Sequence, residues 1–227
     1  MAGIVIFGTE AMADFVYASL MDDASFAHRI AGFTVDKAYM KDGLKFGLPV
    51  VPFEEVERRF PPDDNLMIVA VGYSGLNSVR AQKCLQAREK GYKLYSHVCS
   101  GTKLPSSVKV GENCFVADGV SLQPFAVIGD NTFVFGGAAV GHHAVVGANC
   151  WITSGTVVGG NSTVGDNGFL GLNSTIVDGI AVGRDNFIGA GAVVSRSSGD
   201  GEVYLSAPAV KHRLNSRLFI SFIKNRG

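Results

Sequence analysis

Between Asp130 and Asp166 the chain has no Asp, Glu, Lys or Arg, and its ionisable side chains there are His142, His143 and the thiol of Cys150. Adjacent histidines in so apolar a stretch are candidates for moving a proton. Zinc is the other chemistry of paired histidines. It needs three ligands, and His28, His97 and His212 lie outside or at the edge of this stretch, so no metal is predicted. Cys84, Cys99, Cys114 and Cys150 show no CxxC or zinc-finger spacing and read as free thiols of a reduced compartment.

A repeat positions the histidines. Val110-Gly111, Ile128-Gly129, Val146-Gly147, Val164-Gly165 and Val182-Gly183 recur every 18 residues. A step of six from Val98 to Val194 meets Leu, Ile or Val every time, Leu104 included. Two residues before most of these positions stands something small, such as Cys114, Ala126, Thr132 or Ala144, which lets the chain turn a corner. One inward aliphatic per short strand, with three strands per 18 residues, describes a triangular prism. Its coils stack by strand pairing about 4.8 Å apart, which is the hexapeptide parallel β-helix, here assigned to 97–198. His142 and His143 follow the inward Val140 and so lie at the outer face or a corner. The same period sets Gly160, with Gly159 beside it, one coil from His142, leaving backbone amides there without side chains. A base beside amide donors is an acyl-transfer arrangement, because imidazole takes a proton from an amine or hydroxyl while an amide stabilises the oxyanion. His142, His143 and Gly160 are therefore the candidate catalytic residues.

Residues 1–96 have a different character. Ten of the charged residues lie between Val98 and Ser197 and thirty lie outside, so two architectures meet near residue 97. The first reads as a small Rossmann-like parallel α/β domain: a strand to Phe7, a turn at Gly8-Thr9-Glu10, a helix from Ala11, and a strand ending at Asp36. A third strand ends at Val71, a turn follows at Gly72-Tyr73, and a helix to Lys90 carries Arg80, Lys83, Arg88 and Lys90 on its polar side. Ligands of such sheets sit beyond the carboxyl ends of the strands, which selects Gly8, Thr9, Glu10, Asp36, Lys37, Gly72 and Tyr73. Asp36 suits ribose hydroxyls and the turn amides suit phosphate. The turn has one glycine where a GxGxxG fingerprint needs three, so a nucleotide-like ligand is favoured over NAD.

Twenty basic and twenty acidic residues give zero formal charge, so no nucleic-acid partner is expected. Apolar runs are strand-sized, and the first residues lack a basic region ahead of a long apolar one. Neither a signal peptide nor stable membrane insertion is predicted, and a cytoplasmic location is expected.

The α/β domain, the run Val140-Gly141-His142-His143-Ala144-Val145-Val146-Gly147 and the segment Leu205-Ser206-Ala207-Pro208-Ala209 resemble the NeuD/PglD family of bacterial sugar acetyltransferases, to about residue 211. The resemblance implies a left-handed β-helix and a homotrimer with sites between subunits. It implies acetyl-CoA-dependent N-acetylation of a UDP- or dTDP-linked 4-amino-dideoxy sugar, by direct attack, in cell-surface polysaccharide biosynthesis. It makes His142 the general base and Gly160 the amide donor to the acetyl carbonyl. Coenzyme A then lies near Gly171, Leu172, Ala190, Gly191, Pro208 and Ala209, and the nucleotide near the Gly8 turn and Asp36. The chain departs from the family in three places. The acidic residue after the base is His143, a further active-site histidine matches Trp151, and Ala11 and Ala13 replace turn glycines. The last change shifts the diphosphate toward Thr9, Lys37 or Arg80. Sugar O-acetylation and a non-catalytic nucleotide-sugar-binding trimer are the alternatives.

The tail, 199–227, carries Lys211, Arg213, Arg217, Lys224 and Arg226, with Leu214, Leu218, Phe219, Phe222 and Ile223 at helical spacing. It reads as a cap, because an open β-helix end exposes strand edges. A basic helix at a membrane surface, or contact of Lys211 with the coenzyme phosphates, are the other readings.

Overall fold

The computed structural model describes residues 2–224. β1 (Gly3–Phe7) is apolar and buried along its whole length, as a strand covered on both faces must be. α1 (Ala11–Asp22), β2 (Arg29–Val35), β3 (Leu44–Lys45), β4 (Leu48–Pro52), α2 (Val56–Arg59), β5 (Asn65–Val69) and α3 (Ser78–Glu89) follow. The strand order is β3-β4-β2-β1-β5, with every pair parallel except the β3–β4 hairpin. That hairpin is not legible in the sequence, because Gly47, Pro49 and Pro52 interrupt its apolar run.

From His97 the chain winds as a left-handed parallel β-helix of two-residue strands on three parallel sheets. Strands pair 18 residues apart, as Val127 does with Val145 and Val145 with Thr163, until the last pair, Phe187 with Val203, which is 16 apart. The inward aliphatics form one continuous core, with Cys114, Ala126, Ala144 and Cys150 packed against them. Leu104 departs from the expected row. It is exposed in a first turn without strands, beside Pro105, which has no N–H for a ladder.

Each coil has three corners, turned mostly by residues with positive φ three places after an inward aliphatic. One corner column reads Asn113, Asn131, Asn149, Asn167, Asp185, and the second Gly119, Gly137, Gly155, Asn173, Gly191. The third reads Phe125, His143, Asn161, Gly179.

The sheet between the first two columns presents Phe115, Phe133, Trp151, Phe169 and Phe187 outward, one above the next. Phe133 stacks on Trp151 at 5.6 Å and Phe169 on Phe187 at 4.5 Å. The α/β domain docks on this ladder. Phe15 of α1 meets Phe115 at 5.6 Å, and Tyr73 meets Phe169 at 4.8 Å and Trp151 at 5.5 Å. The Asn113 amide accepts from Val69 N–H at 2.7 Å and donates to Val69 C=O at 3.3 Å, capping the end of β5 with a side chain.

Arg80 is the centre of the joint. Its fully buried guanidinium donates to Asn131 Oδ1 and O and to Asn77 Oδ1, all at 3.0 Å, and also to the carbonyls of Val71, Gly72, Asn149 and Cys150. It lies 5.0 Å over Phe133 and 5.1 Å over Trp151. Desolvation lowers its pKa to about 10, which leaves it a cation. Arg80 therefore joins the two domains and is not available to a diphosphate. Trp151 is likewise buried in the ladder, not open to a substrate.

Val203–Tyr204 adds a last strand, and Tyr204 packs on the end of the core. The tail helix, α4 (Ser216–Lys224), is exposed throughout, so it does not cap the last coil as the sequence suggests. Arg226 lies outside the described residues. No helix among the described residues is long and apolar enough to cross a membrane.

Replacing Arg80 by Lys keeps the charge and loses the planar fork that serves carbonyls on both domains. The orphaned carbonyls cost about 3 kcal/mol together, which for a chain of this size lowers Tm by roughly 6–12 °C. Thermal unfolding of Arg80→Lys checks this. An unchanged Tm with weakened nucleotide binding would return Arg80 to the ligand.

Candidate functional site

The carboxyl ends of β1, β2 and β5 open into a cleft of about 430 Å³, within the range of small-ligand sites. Gly8, Thr9, Glu10, Asp36 and Gly72 line it, as the sequence predicts. Gly8 is required there, because its φ is +124° and a Cβ would come within 2.8 Å of the Ala70 carbonyl oxygen. No side chain caps α1; the Ala13 N–H donates to the Glu10 carbonyl at 2.8 Å, which leaves the Ala11 and Met12 amides without a capping side chain.

Two lining residues are not singled out by sequence reasoning. Lys83 reaches in from α3 and is the cation among the lining residues, with its Nζ 2.6 Å from Asp36 Oδ1. Tyr39 adds a largely exposed ring next to Asp36. Lys83 stands one helical turn after Arg80, so both share one face of α3. Periodicity finds that face but does not say which cation meets the cleft and which meets the β-helix. Of the remaining candidates, the Lys37 N–H is bound by the Glu54 carboxylate at 3.0 Å, and Lys37 does not line the cleft. Tyr73 faces the aromatic ladder.

His142 and His143 lie exposed at the third corner. The His142 N–H donates to Gln123 Oε1 at 3.0 Å, and the His143 N–H to the Pro124 carbonyl at 3.2 Å, which fastens both to the preceding coil. Their rings meet through Nδ1 atoms 3.2 Å apart. Gly160 does stand against His142, since a Cβ there would lie 2.8 Å from His142 Nε2. Its amide does not serve as expected. The Gly160 N–H donates to Asp178 Oδ1 at 2.6 Å, one coil further on, so this donor is already engaged. Gly160 instead provides the space that the imidazole occupies.

Gly171, Leu172, Ala190 and Gly191 gather at the second corner, where the Gly191 N–H donates to the Leu172 carbonyl at 2.8 Å. Pro208, Ala209 and Lys211 are exposed in the tail beyond. The second corner and the histidine corner border the same sheet, which carries Ala139, Val157, Thr175 and Val193 outward.

All four cysteines are buried free thiols, and burial pushes Cys150 up to about 12 and Cys114 to about 11. Neither supplies a thiolate nucleophile. Among the described residues Asp23, His97 and Cys99 have the atom types of a metal site. The Asp23 carboxylate is occupied by Ser25, by the Ser100 N–H and by His97 Nε2, and His97 Nδ1 meets Tyr95 Oη at 3.1 Å, so the cluster is a hydrogen-bonded knot.

Comparison with known proteins bears on the fold as a whole. The family model described as hexapeptide repeat of succinyl-transferase matches residues 137–165 and 163–196. Comparison with curated proteins returned no match. A mutant of perosamine N-acetyltransferase from Caulobacter crescentus, solved with CoA and GDP-perosamine, superposes with TM-score 0.79 at 26% identity, covering 89% of this chain and 93% of that one. The acetyltransferase domain of PglB from Neisseria gonorrhoeae, solved with acetyl coenzyme A, gives 0.77 at 23% identity over 88% and 94%. WeeI from Acinetobacter baumannii gives 0.69 at 18% over 89% and 96%. The similarity to NeuD/PglD-type sugar acetyltransferases thus extends over both the α/β domain and the β-helix.

Lys83→Met removes the cleft's cation while keeping the length of its stem. Calorimetric titration with a nucleoside diphosphate is expected to show affinity reduced about tenfold, as loss of one charge-assisted contact implies. Equal affinity would show that the phosphates do not reach Lys83.

Proposed function

We propose that the chain N-acetylates the amino group of a nucleoside-diphosphate-linked 4-amino-dideoxy sugar, as a homotrimer in the cytoplasm, with His142 as general base. At the coarser level the chain is a sugar N-acetyltransferase with acetyl-CoA as co-substrate. The observation that carries the finer reading is the setting of His142, an exposed imidazole with its Nε2 edge against Gly160 in a stretch without fixed charge.

The neutral amine attacks the thioester carbonyl and its electron pair forms the C–N bond. His142 Nε2 accepts the proton that the nitrogen loses. The tetrahedral intermediate collapses with cleavage of the C–S bond, and the departing thiolate takes the proton back from His142. Nothing in this sequence needs a protein thiolate, in keeping with the buried cysteines.

The topology supports a site shared between copies. The nucleotide cleft belongs to the domain docked on the aromatic sheet, whereas His142 stands at the corner opposite that sheet. A sugar held in the cleft thus faces away from its own His142, and a neighbouring copy supplies the base. Closed cyclic symmetry gives three equivalent sites. The resemblance names UDP or dTDP as the nucleotide. Similarity to a protein solved with GDP-perosamine adds GDP to the candidates.

The test is thiol release from acetyl-CoA against a panel of UDP-, dTDP- and GDP-linked amino sugars. His142→Ala is expected to lower turnover roughly 10²- to 10⁴-fold with little change in melting. An alkali-labile product would instead mark O-acetylation, and full turnover without His142 would remove it as base. Gly160→Ala should keep the bond to Asp178 and displace the imidazole, lowering kcat about tenfold or more with assembly intact. Wild-type kcat in that variant would show that His142 does not work from this position. Sedimentation velocity checks the trimer, and a stable, active monomer would exclude a shared site.

A further inference from the structure

The third corner breaks a rule that the other coil corners keep. Among the described residues, every other coil corner with positive φ is turned by Gly, Asn or Asp, whereas this column has Phe125 at φ +66° and His143 at φ +57°. A bulky side chain is unfavourable there, because its Cβ crowds the following carbonyl oxygen, and such strain gathers at functional sites. The two strained residues touch. The Phe125 and His143 rings stack at 4.7 Å and 23°, and His143 in turn meets His142 through the Nδ1 contact.

A contact between two neutral Nδ1 atoms has one donor and one acceptor. If His142 donates, its Nε2 carries the lone pair that a base needs. If His143 donates, His142 Nε2 is protonated and cannot accept. We propose that His143, held by its stack on Phe125, is a positioning residue that accepts the Nδ1–H of His142 and keeps Nε2 as the proton acceptor. The proposal rests on the reading of His142 as base. The same bond serves the imidazolium formed during transfer, since His142 Nδ1 is then still a donor and the bond becomes charge-assisted. Among the described residues, the side-chain partner at His142 Nδ1 is His143 Nδ1, and the nearby side-chain oxygens bond backbone amides. Gln123 Oε1 receives the His142 backbone N–H, and Asp178 receives the Gly160 N–H.

Three variants and one spectrum test this. His143→Leu removes the acceptor and is expected to lower kcat roughly 10- to 100-fold, with the KM for acetyl-CoA nearly unchanged. His143→Asp supplies a carboxylate acceptor in a backbone conformation that Asp185 already adopts, and it should restore most of that loss. Phe125→Asn installs the residue used at other corners, so Tm should hold or rise while kcat falls several-fold. Nitrogen-15 spectra of histidine-labelled wild type should show His142 as the Nδ1–H tautomer, and His143→Leu should shift it toward Nε2–H. Wild-type kcat in His143→Leu, equal loss in the Leu and Asp variants, unchanged kcat in Phe125→Asn, or an Nε2–H His142 in the wild type would each overturn the proposal. The spectrum needs no turnover. Absence of acetyl transfer by the wild type would therefore defeat the functional reading while the tautomer still decides the pair.

Discussion

A chain that turns three corners in every 18 residues has little freedom at each turn, and one residue with a left-handed backbone meets that demand. Once the corners are fixed, strand pairing locks residue i over residue i+18 as far as Val194, as in the ladder from Phe115 through Phe133 to Trp151. Vertical columns thus become the working units of the molecule. The aromatic column, the asparagine column and the column of Phe125 and His143 are each one position of the repeat, read upward. A substitution in a column changes what its neighbours one coil away meet, which is why Gly160 matters to a histidine 18 residues earlier.

Two columns serve the joint between domains. The aromatic ladder buries a broad apolar surface without direction, which favours contact but permits sliding. The asparagine column removes that freedom, because Asn113 bonds both backbone groups of Val69, and Asn131 accepts from Arg80. A buried guanidinium ringed by carbonyls tolerates little displacement, since any shift leaves a carbonyl or an N–H unpaired in a dry site. Directional bonds set the position that hydrophobic burial makes favourable.

The sequence revealed the prism because a six-residue period with one aliphatic per strand has almost no other structural solution. It revealed the opposition of Gly160 and His142 for the same reason. The commitment of the Gly160 amide was accessible to the same arithmetic, because Asp178 stands 18 residues after it. The aromatic ladder was equally periodic, one residue before the inward row. Non-periodic features were hidden. Arg80 and Lys83 look alike on a polar helix face, and only docking against the ladder sends one into the interior and the other to the cleft. The β3–β4 hairpin and the exposed Leu104 belong to segments where Gly or Pro interrupts the pattern. The tail helix is amphipathic in sequence, yet amphipathicity names a face and not the surface it meets.

The separation of the two candidate sites gives the stiff joint a further consequence. On the proposed reading, with a nucleotide held at the carboxyl ends of β1, β2 and β5 and His142 as base at the corner opposite the ladder, the amine would reach a neighbour's imidazole across the space between copies. A hinge at the joint would scatter the amine over many positions, and a displacement of about 1 Å already lowers a positioned reaction roughly 100-fold. Shifting a joint with a buried cation at its centre leaves carbonyls or N–H groups unpaired in a dry site. On this reading the desolvation of Arg80, which weakens its own charged form, is opposed by its hydrogen bonds to both domains. Those bonds fix the cleft at the carboxyl ends of the strands relative to the prism.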